Sequence, residues 1–346
     1  MSEIVIRKEG KAGRATLNRP GALNALTAAM ALALEDALDQ WRDDVDVAVV
    51  VIDAAGEKAF CAGGDIAELY AHGTAGDFDF GRAFWWQEYR LNLKIATYPK
   101  PIVVFMQGFV MGGGVGVAGH ASHRIVGEST KIAMPECGIG LMPDVGGTFL
   151  LGRAPGEAGV YLGLTGGRMG PADAITATFA DYFVPEAEWG DLKTKMIDDA
   201  DLSAIEVATK SAPEGTLVQN AAAIDDLFAG QTISEIAANL ANSDTEFAAA
   251  AAKKLSKGAP LSLACALVTI RQARQGDLKA ALQMEYRFSY RAQEQGDFLE
   301  GIRAQIIDRD FKPKWQHADF DVPPKDIDTM LAGLGPFEWT EERDMP

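Results

Sequence analysis

Two apolar stretches in this 346-residue chain are each followed by a glycine-rich turn, and that pairing restricts the available architectures more than any other feature. VAVVVID precedes FCAGGD at residues 60–65, and PIVVFMQGF precedes MGGGVG at residues 111–116. The apolar stretches read as strands buried on both faces, and each turn opens a segment of helical character. Glycine at such a junction allows unusual backbone angles and lets N–H groups come close to a ligand. The first N–H groups of a helix lack intrahelical partners and are slightly positive, so they favour an anionic oxygen. Two of them aimed at one point form an oxyanion hole. Downstream, MPECGIGLMPDVGG carries two carboxylates, Glu136 and Asp144. Acidic side chains buried in such a loop cost desolvation unless they are hydrogen-bonded or used.

The rest of the N-terminal half follows the same grammar. Residues 4–17 alternate like a hairpin with a turn near residues 10–13. Thr27 suits the N-cap of a helix whose Met30, Leu34, Leu38 and Trp41 share one face. Asp43 and Asp44 end that helix, and residues 45–52 read as a continuous apolar strand. A helix over residues 82–96 stops before Pro99 and Pro101, because proline cannot continue it. A strand at residues 102–106 then leads to the second glycine turn. After about Pro185 alanine, charge and helical spacing dominate, with breaks at residues 257–260 and 275–276. The chain is therefore expected to be α/β, with a core domain over residues 1–185 and a helical domain over residues 186–346.

Composition narrows the function. The chain is 48% hydrophobic, enough for one large core and a smaller helical unit. A formal net charge of −17 argues against nucleic acid or an anionic membrane as partner. Phosphates on any ligand would have to be met by a local basic cluster. Cys61, Cys137 and Cys265 are an odd number without paired spacing, so free thiols in a reducing compartment are expected. The N-terminus lacks an apolar signal core, and no apolar run reaches the length of a membrane span. A cytoplasmic location is expected, or the mitochondrial matrix for a processed eukaryotic protein.

Several motifs in order resemble the crotonase (enoyl-CoA hydratase/isomerase) superfamily, and within it the 3-hydroxyisobutyryl-CoA hydrolase group. They are LNRPGALNAL, FCAGGDI, EYRLN, MGGGVG, MPE…PDVGG, MEYRFS and FLEGIRAQIIDRDFKPKW, and together they span nearly the whole chain. The resemblance implies a spiral of strand–strand–helix repeats with a helical C-terminal region. Its C-terminal helices would close the active site or pack at contacts between copies in a homo-oligomer. It implies an acyl-CoA substrate, with coenzyme A part of that substrate and no separate cofactor or metal. Gly64 and Gly113 would donate the N–H groups that hold the thioester oxygen. Glu136 would act as general base or as nucleophile, and Asp144, typical of the hydrolase group, would position the substrate hydroxyl or the water. Glu88, Ala62, Gly63 and Asp65 would contact substrate, and Arg19 would meet the CoA phosphates, although Gly21 replaces a basic residue many relatives carry. Hydratases have a second glutamate three residues after the donor glycine, where this chain has Gly116.

Blander readings stand beside these. The glycines could serve tight turns alone, Glu136 and Asp144 could be exposed or capping residues, and Glu88 could lie on a solvated helix face. Trp85 and Trp86 read as core or pocket wall. Gly114, Gly116 and Gly119 spell GxGxxG after a strand, but the helix they open is too short for a dinucleotide-binding crossover. His120 and His123 lack the acidic residue of a zinc-protease motif. The activity the resemblance implies is hydrolysis of a short, branched 3-hydroxyacyl-CoA, with 3-hydroxyisobutyryl-CoA the leading candidate, in valine catabolism; the alternatives are an enoyl-CoA hydratase or isomerase and a non-catalytic acyl-CoA binder.

Overall fold

The computed structural model describes residues 2–346. Among these, nine strands form two sheets. β1 (Ile4–Glu9) and β2 (Ala12–Leu17) make the expected antiparallel hairpin, turned at Gly10, which sits at φ +53°. β3 (Val49–Ala54), β4 (Ala59–Cys61), β5 (Ile102–Met106), β6 (Phe109–Met111), β7 (His123–Val126), β8 (Lys131–Ala133) and β9 (Tyr182–Phe183) follow. The larger sheet runs β1-β2-β3-β5-β7-β9, parallel beyond the hairpin, and the smaller runs β4-β6-β8, parallel throughout. Three times the chain gives one strand to the large sheet, the next to the small sheet, and then turns into a helix. The helical pieces are Ile66–Thr74, Gly113–Ala118 and the short 3₁₀ turn Glu136–Ile139. This is the strand–strand–helix spiral. The short strands β4 and β6 were not separated by the sequence pattern, because each is three residues long and overlaps the start of a glycine-rich motif.

The chain divides into two compact units, each built from three segments. Unit 1 comprises Met1–Gly64, Gln87–Ala133 and Arg168–Thr216, and unit 2 comprises Asp65–Trp86, Met134–Gly167 and Leu217–Pro346. A single boundary at residue 185 does not coincide with this division, for packing reasons visible in each unit. In unit 1 the helices Trp189–Asp199 and Ser203–Ala208 cover the large sheet: Trp189, Leu192, Met196 and Ile205 pack with Val49, Val51, Val103, Phe105 and Ile125. Residues 186–216 thus belong with the strands. In unit 2 the earlier segments join the C-terminal helices. Gln293 Nε2 donates to Leu69 O at 2.8 Å, and Arg82 pairs with Glu294 at 2.7 Å. Helix Gly147–Arg153 approaches helix Pro260–Ala273 so closely that a Cβ on Gly152 would lie 3.0 Å from Ile270 O.

Most local expectations hold. Thr27 Oγ1 accepts from Met30 N at 3.2 Å and caps helix Ala28–Arg42, whose Met30, Leu34, Leu38 and Trp41 are all buried. The helix expected from residue 82 begins earlier, spanning Phe78–Ala96. The strand expected at residues 45–52 is displaced to Val49–Ala54, and Val45 is 94% exposed. The cause is a turn made by Asp44, whose side chain accepts from Asp46 N and whose carbonyl accepts from Val47 N. Among the described residues no helix is long and apolar enough to cross a membrane.

Met196 is fully buried in the layer covering the large sheet. Met196→Ala should lower unfolding stability by about 2–5 kcal/mol, the usual cost of a large-to-small core change. Denaturant unfolding checks this, and a loss under about 0.5 kcal/mol, typical of a surface site, would show that the helix is not part of the core.

Candidate active site

Unit 1 holds both glycine turns, and it places their donors side by side. Loop residues 19–26 zip onto the first turn: Ala62 N donates to Leu23 O at 3.1 Å, and Leu26 N donates to Gly63 O at 2.8 Å. Leu26 forms a parallel bridge opposite Gly64. In such a bridge Leu26 bonds the residues flanking its partner, so the bridge leaves the N–H of Gly64 itself uncommitted. Gly113 is the first residue of helix Gly113–Ala118, where an N–H has no partner within the helix. A Cβ built on Gly113 would lie 3.4 Å from Gly64 N and 2.5 Å from Glu88 Oε1. Gly113, the Gly64 nitrogen and a carboxylate therefore lie close together.

The glycine requirement is specific. Gly63 and Gly112 take φ +121° and +46°, angles that favour glycine. Gly114 is needed for contact instead, since its Cβ would fall 2.2 Å from Cys61 O. The turns do more than reverse the chain. Glu88, on helix Phe78–Ala96, is only 2% exposed, so it does not lie on a solvated face. The same stretch of helix is tied down by Arg90, which bonds Glu35 through Nε at 2.7 Å, and by Lys94, which bonds Glu35 at 2.9 Å. That clamp fixes the rotation of the helix and with it the direction of Glu88.

Arg19 is engaged within the chain, donating to Ala25 O at 2.7 Å and pairing with Glu3 at 3.0 Å. Contact with a CoA phosphate would require it to exchange the Glu3 partner. Asn24, not singled out by its residue type, is the pin of this loop. It is buried at φ +55°, accepts from Arg19 N, and donates to Ala55 O and Ala59 O at 2.9 Å each. The LNRPGALNAL motif contained it, but nothing in the pattern set it apart from a turn residue.

Unit 2 holds Asp65, Glu136 and Asp144. Asp65 occupies the N-cap position of helix Ile66–Thr74. Glu136 opens the 3₁₀ turn Glu136–Ile139 and is 5% exposed, and Asp144 is 4% exposed, so neither is a solvated turn residue. The Glu136 turn is held by close backbone approaches. A Cβ on Gly301 would lie 2.1 Å from Ile139 O, and one on Gly140 would lie 2.4 Å from Asp297 O. Ala259 N donates to Cys137 O at 2.9 Å. The FLEGIR motif is thus explained: its glycine lets helix Phe298–Ile302 seat against the Glu136 turn.

The Asp144 turn has a separate anchor that sequence reading missed. Glu285 is fully buried on helix Leu278–Ala292 and accepts from Gly146 N at 2.7 Å and Thr148 N at 2.9 Å. Burial pushes its carboxyl up to about 8, with the Asp144 charge adding to the rise and the Thr148 and Gly146 donors opposing it. A signal existed, because Glu285 falls on the apolar row Leu278, Ala281, Leu282, Phe288, Ala292, where a carboxylate is out of place.

The cysteines are unbridged and buried. Burial raises all three thiols, Cys61 to about 12 with the Glu88 charge adding, so none offers a ready thiolate. Helix Gly113–Ala118 has six residues, too short for a dinucleotide-binding crossover. Among the described residues no group of three or more His, Cys, Asp or Glu side chains is placed to hold a metal ion.

The profile of the enoyl-CoA hydratase/isomerase family matches residues 12–331. A zebrafish (Danio rerio) protein named mitochondrial 3-hydroxyisobutyryl-CoA hydrolase is 40% identical, with 99% of this chain and 91% of the relative aligned. The human protein of the same name is 35% identical over 96% of this chain and 89% of its own. A crystal structure described as an enoyl-CoA hydratase from Rhodobacter sphaeroides 2.4.1 is 55% identical, with 98% and 100% coverage and a TM-score of 0.95. Another, described as a carnitinyl-CoA dehydratase from Mycobacterium thermoresistibile, is 39% identical over 99% and 100%, also with a TM-score of 0.95. With strand order, glycine turns and buried carboxylates all in place, the chain belongs to the enoyl-CoA hydratase/isomerase (crotonase) family.

Proposed function

We propose that this protein hydrolyses the thioester of a short, branched 3-hydroxyacyl-CoA, with 3-hydroxyisobutyryl-CoA, from valine catabolism, as its substrate. One observation carries the choice among family activities. Position 116, where hydratases carry their second glutamate, is a buried glycine inside helix Gly113–Ala118. Adding water across a double bond calls for two acid/base groups there, and one is absent. Thioester hydrolysis can run on one base and a pair of oxyanion donors. The curated relatives named as hydrolases support this reading, while the Rhodobacter structure's description favours the hydratase as the second one.

The residues divide the work as follows. Gly64 and Gly113 donate to the carbonyl oxygen as negative charge builds on it. Glu136 either takes a proton from the attacking water or attacks the carbonyl itself to give a mixed anhydride that water then opens. Collapse of the tetrahedral adduct breaks the C–S bond, the thiolate gains a proton, and the products are the 3-hydroxy acid and CoA-SH. Asp144 accepts from the substrate hydroxyl or orients the water. Glu88, beside the donors, shapes the acyl pocket together with Ala62, Gly63 and Asp65. No cofactor beyond the coenzyme A of the substrate enters these steps. The location proposed is the mitochondrial matrix if the source is eukaryotic, a reading supported by relatives named as mitochondrial, and the cytoplasm otherwise. A homo-oligomer is the proposed assembly, on family resemblance.

Glu136→Gln keeps size and hydrogen bonding but removes charge, and should reduce turnover by about 10²–10⁴ while acyl-CoA still binds. Thiol release and a binding titration read both quantities, and full turnover would remove Glu136 from the chemistry. Gly113→Pro deletes one donor, with Gly113→Ala as control because it adds a Cβ beside Glu88 yet keeps the N–H. The proline protein should lose a further factor of about 10²–10³ in kcat relative to the alanine protein. Equal rates would place the donor elsewhere.

Substrate choice separates the two activities. The unmodified protein should release thiol from 3-hydroxyisobutyryl-CoA and prefer it to isobutyryl-CoA by up to about 10⁴ in kcat/KM. Crotonyl-CoA should keep its absorbance. Rapid loss of that chromophore would assign the protein as a hydratase instead.

A further inference from the structure

Glu285 is a carboxylate in the wrong company for a helix packed on a core. It shares its buried row with Leu278, Ala281, Leu282, Phe288 and Ala292. Such a group normally needs a cationic partner to offset desolvation. Glu285 has another arrangement: among the described residues its hydrogen-bond donors all come from one turn of the chain. Gly146 N reaches Oε2 at 2.7 Å, and Thr148 N and the Thr148 hydroxyl both reach Oε1. Both oxygens are used, and both are used on the turn that carries Asp144.

That turn needs an outside hold. Val145 sits at φ +54° and Gly146 at φ +75°, two left-handed residues in succession. For a β-branched side chain such an angle is strained, and it persists only where the surroundings over-determine it. Gly147 N donates to Asp144 O at 2.6 Å, which closes the turn on itself but does not fix it in space. Glu285 does, from a helix far along the chain.

We propose that Glu285 is the positioning residue for Asp144: by accepting from Gly146 N and Thr148 N it locks the PDVGGT turn and so sets the direction of the Asp144 carboxylate toward the substrate hydroxyl. The proposal rests on the reading that Asp144 recognises that hydroxyl. The turn calls for two acceptor oxygens, which a carboxyl offers in its ionised form and also, with one oxygen carrying the proton, in the neutral form that burial favours, whereas an amide offers one. Glutamine at 285 has one acceptor oxygen, and its NH₂ group would face either the Gly146 or the Thr148 N–H, donor against donor. The turn would then relax away from one of its two ties, and Asp144 with it.

The test compares four proteins, unmodified, Glu285→Gln, Asp144→Ala and the double variant, each checked for folding by its Tm. Thiol release is measured from 3-hydroxyisobutyryl-CoA and from isobutyryl-CoA. Glu285→Gln should lower kcat/KM for the hydroxy substrate by about 10–100-fold, the range expected when a buried N–H is left without its acceptor. It should leave the deoxy substrate nearly unaffected, so the preference shrinks toward that of Asp144→Ala. The double variant should be no more indiscriminate than Asp144→Ala alone, as expected for residues acting through one another. A Glu285→Gln protein that keeps its preference while Asp144→Ala loses it would overturn the positioning role and leave Asp144 in place. An Asp144→Ala protein that keeps the preference would overturn the hydroxyl reading and the proposal with it. Should Glu285→Gln fail to fold, Glu285→Asp draws both acceptor oxygens back by one methylene from Gly146 N and Thr148 N. It should shrink the preference in the same direction, and an unchanged preference in that folded protein would refute the proposal.

Discussion

The parallel register of the small sheet is the constraint on which everything else hangs. β4, β6 and β8 pair so that Ala59, Phe109 and Lys131 lie in one row, as do Cys61, Val110 and Ile132. Strands locked in parallel must end on the same side, and their exits are fixed together. The chain leaves β4 into the first glycine turn, leaves β6 into the second, and leaves β8 at Ala133, three residues before Glu136. Placing backbone donors by strand exits is rigid in a way that side-chain placement is not. The donor cannot rotate away, and its distance from a neighbour is set by sheet spacing. The glycines at 113 and 114 then remove the Cβ atoms that would meet Gly64 and Cys61 and hold the second turn off the first.

Carboxylates show how the two units manage buried charge differently. In unit 1, burial works against ionisation of Asp53, yet Lys193, Thr16 and Arg14 hold its carboxyl below the usual value. Glu35 is likewise buried and likewise held down by Arg90 and Lys94. Those are ion-paired fasteners, and they join strands and helices that carry no proposed chemistry except through Glu88. Glu285 in unit 2 has N–H and O–H donors where the others have cations. Its carboxyl is raised to about 8 where theirs are held down, so it forms no ion pair and its partners are fixed by the shape of a single turn. Using it beside a turn that bears a functional aspartate is therefore consistent with a demand for geometry over strength.

Reading the sequence recovered the repeating grammar and missed its finer division. Strands of three residues leave little pattern of their own, so β4 was absorbed into the first glycine turn, and β6 into the end of the β5 run and the second turn. The displaced start of β3 has a similar origin, since Val45 looks apolar while Asp44 bends the chain beneath it. The boundary at residue 185 followed a real change in composition. Composition reports helix content, though, and not which surface a helix covers, and helix Trp189–Asp199 covers the sheet. At the site, glycines and acidic loop residues were legible because their chemistry is unusual for their positions. Asn24 and Glu285 act on distant parts of the chain, and a linear pattern carries no record of what a buried polar side chain reaches.

The interleaving of the two units bears on how the molecule is made. Unit 1 lacks its sheet-covering helices until the chain has been synthesised past residue 205, and unit 2 lacks helix Leu278–Ala292 until much later. Segments Asp65–Trp86 and Met134–Gly167 must therefore wait, with apolar surface uncovered, for partners that have not yet been translated. Long sequence separations of this kind slow folding and lengthen the life of sticky intermediates. The arrangement that gives each unit its packing thus also lengthens the interval during which apolar segments of the newborn chain stay uncovered.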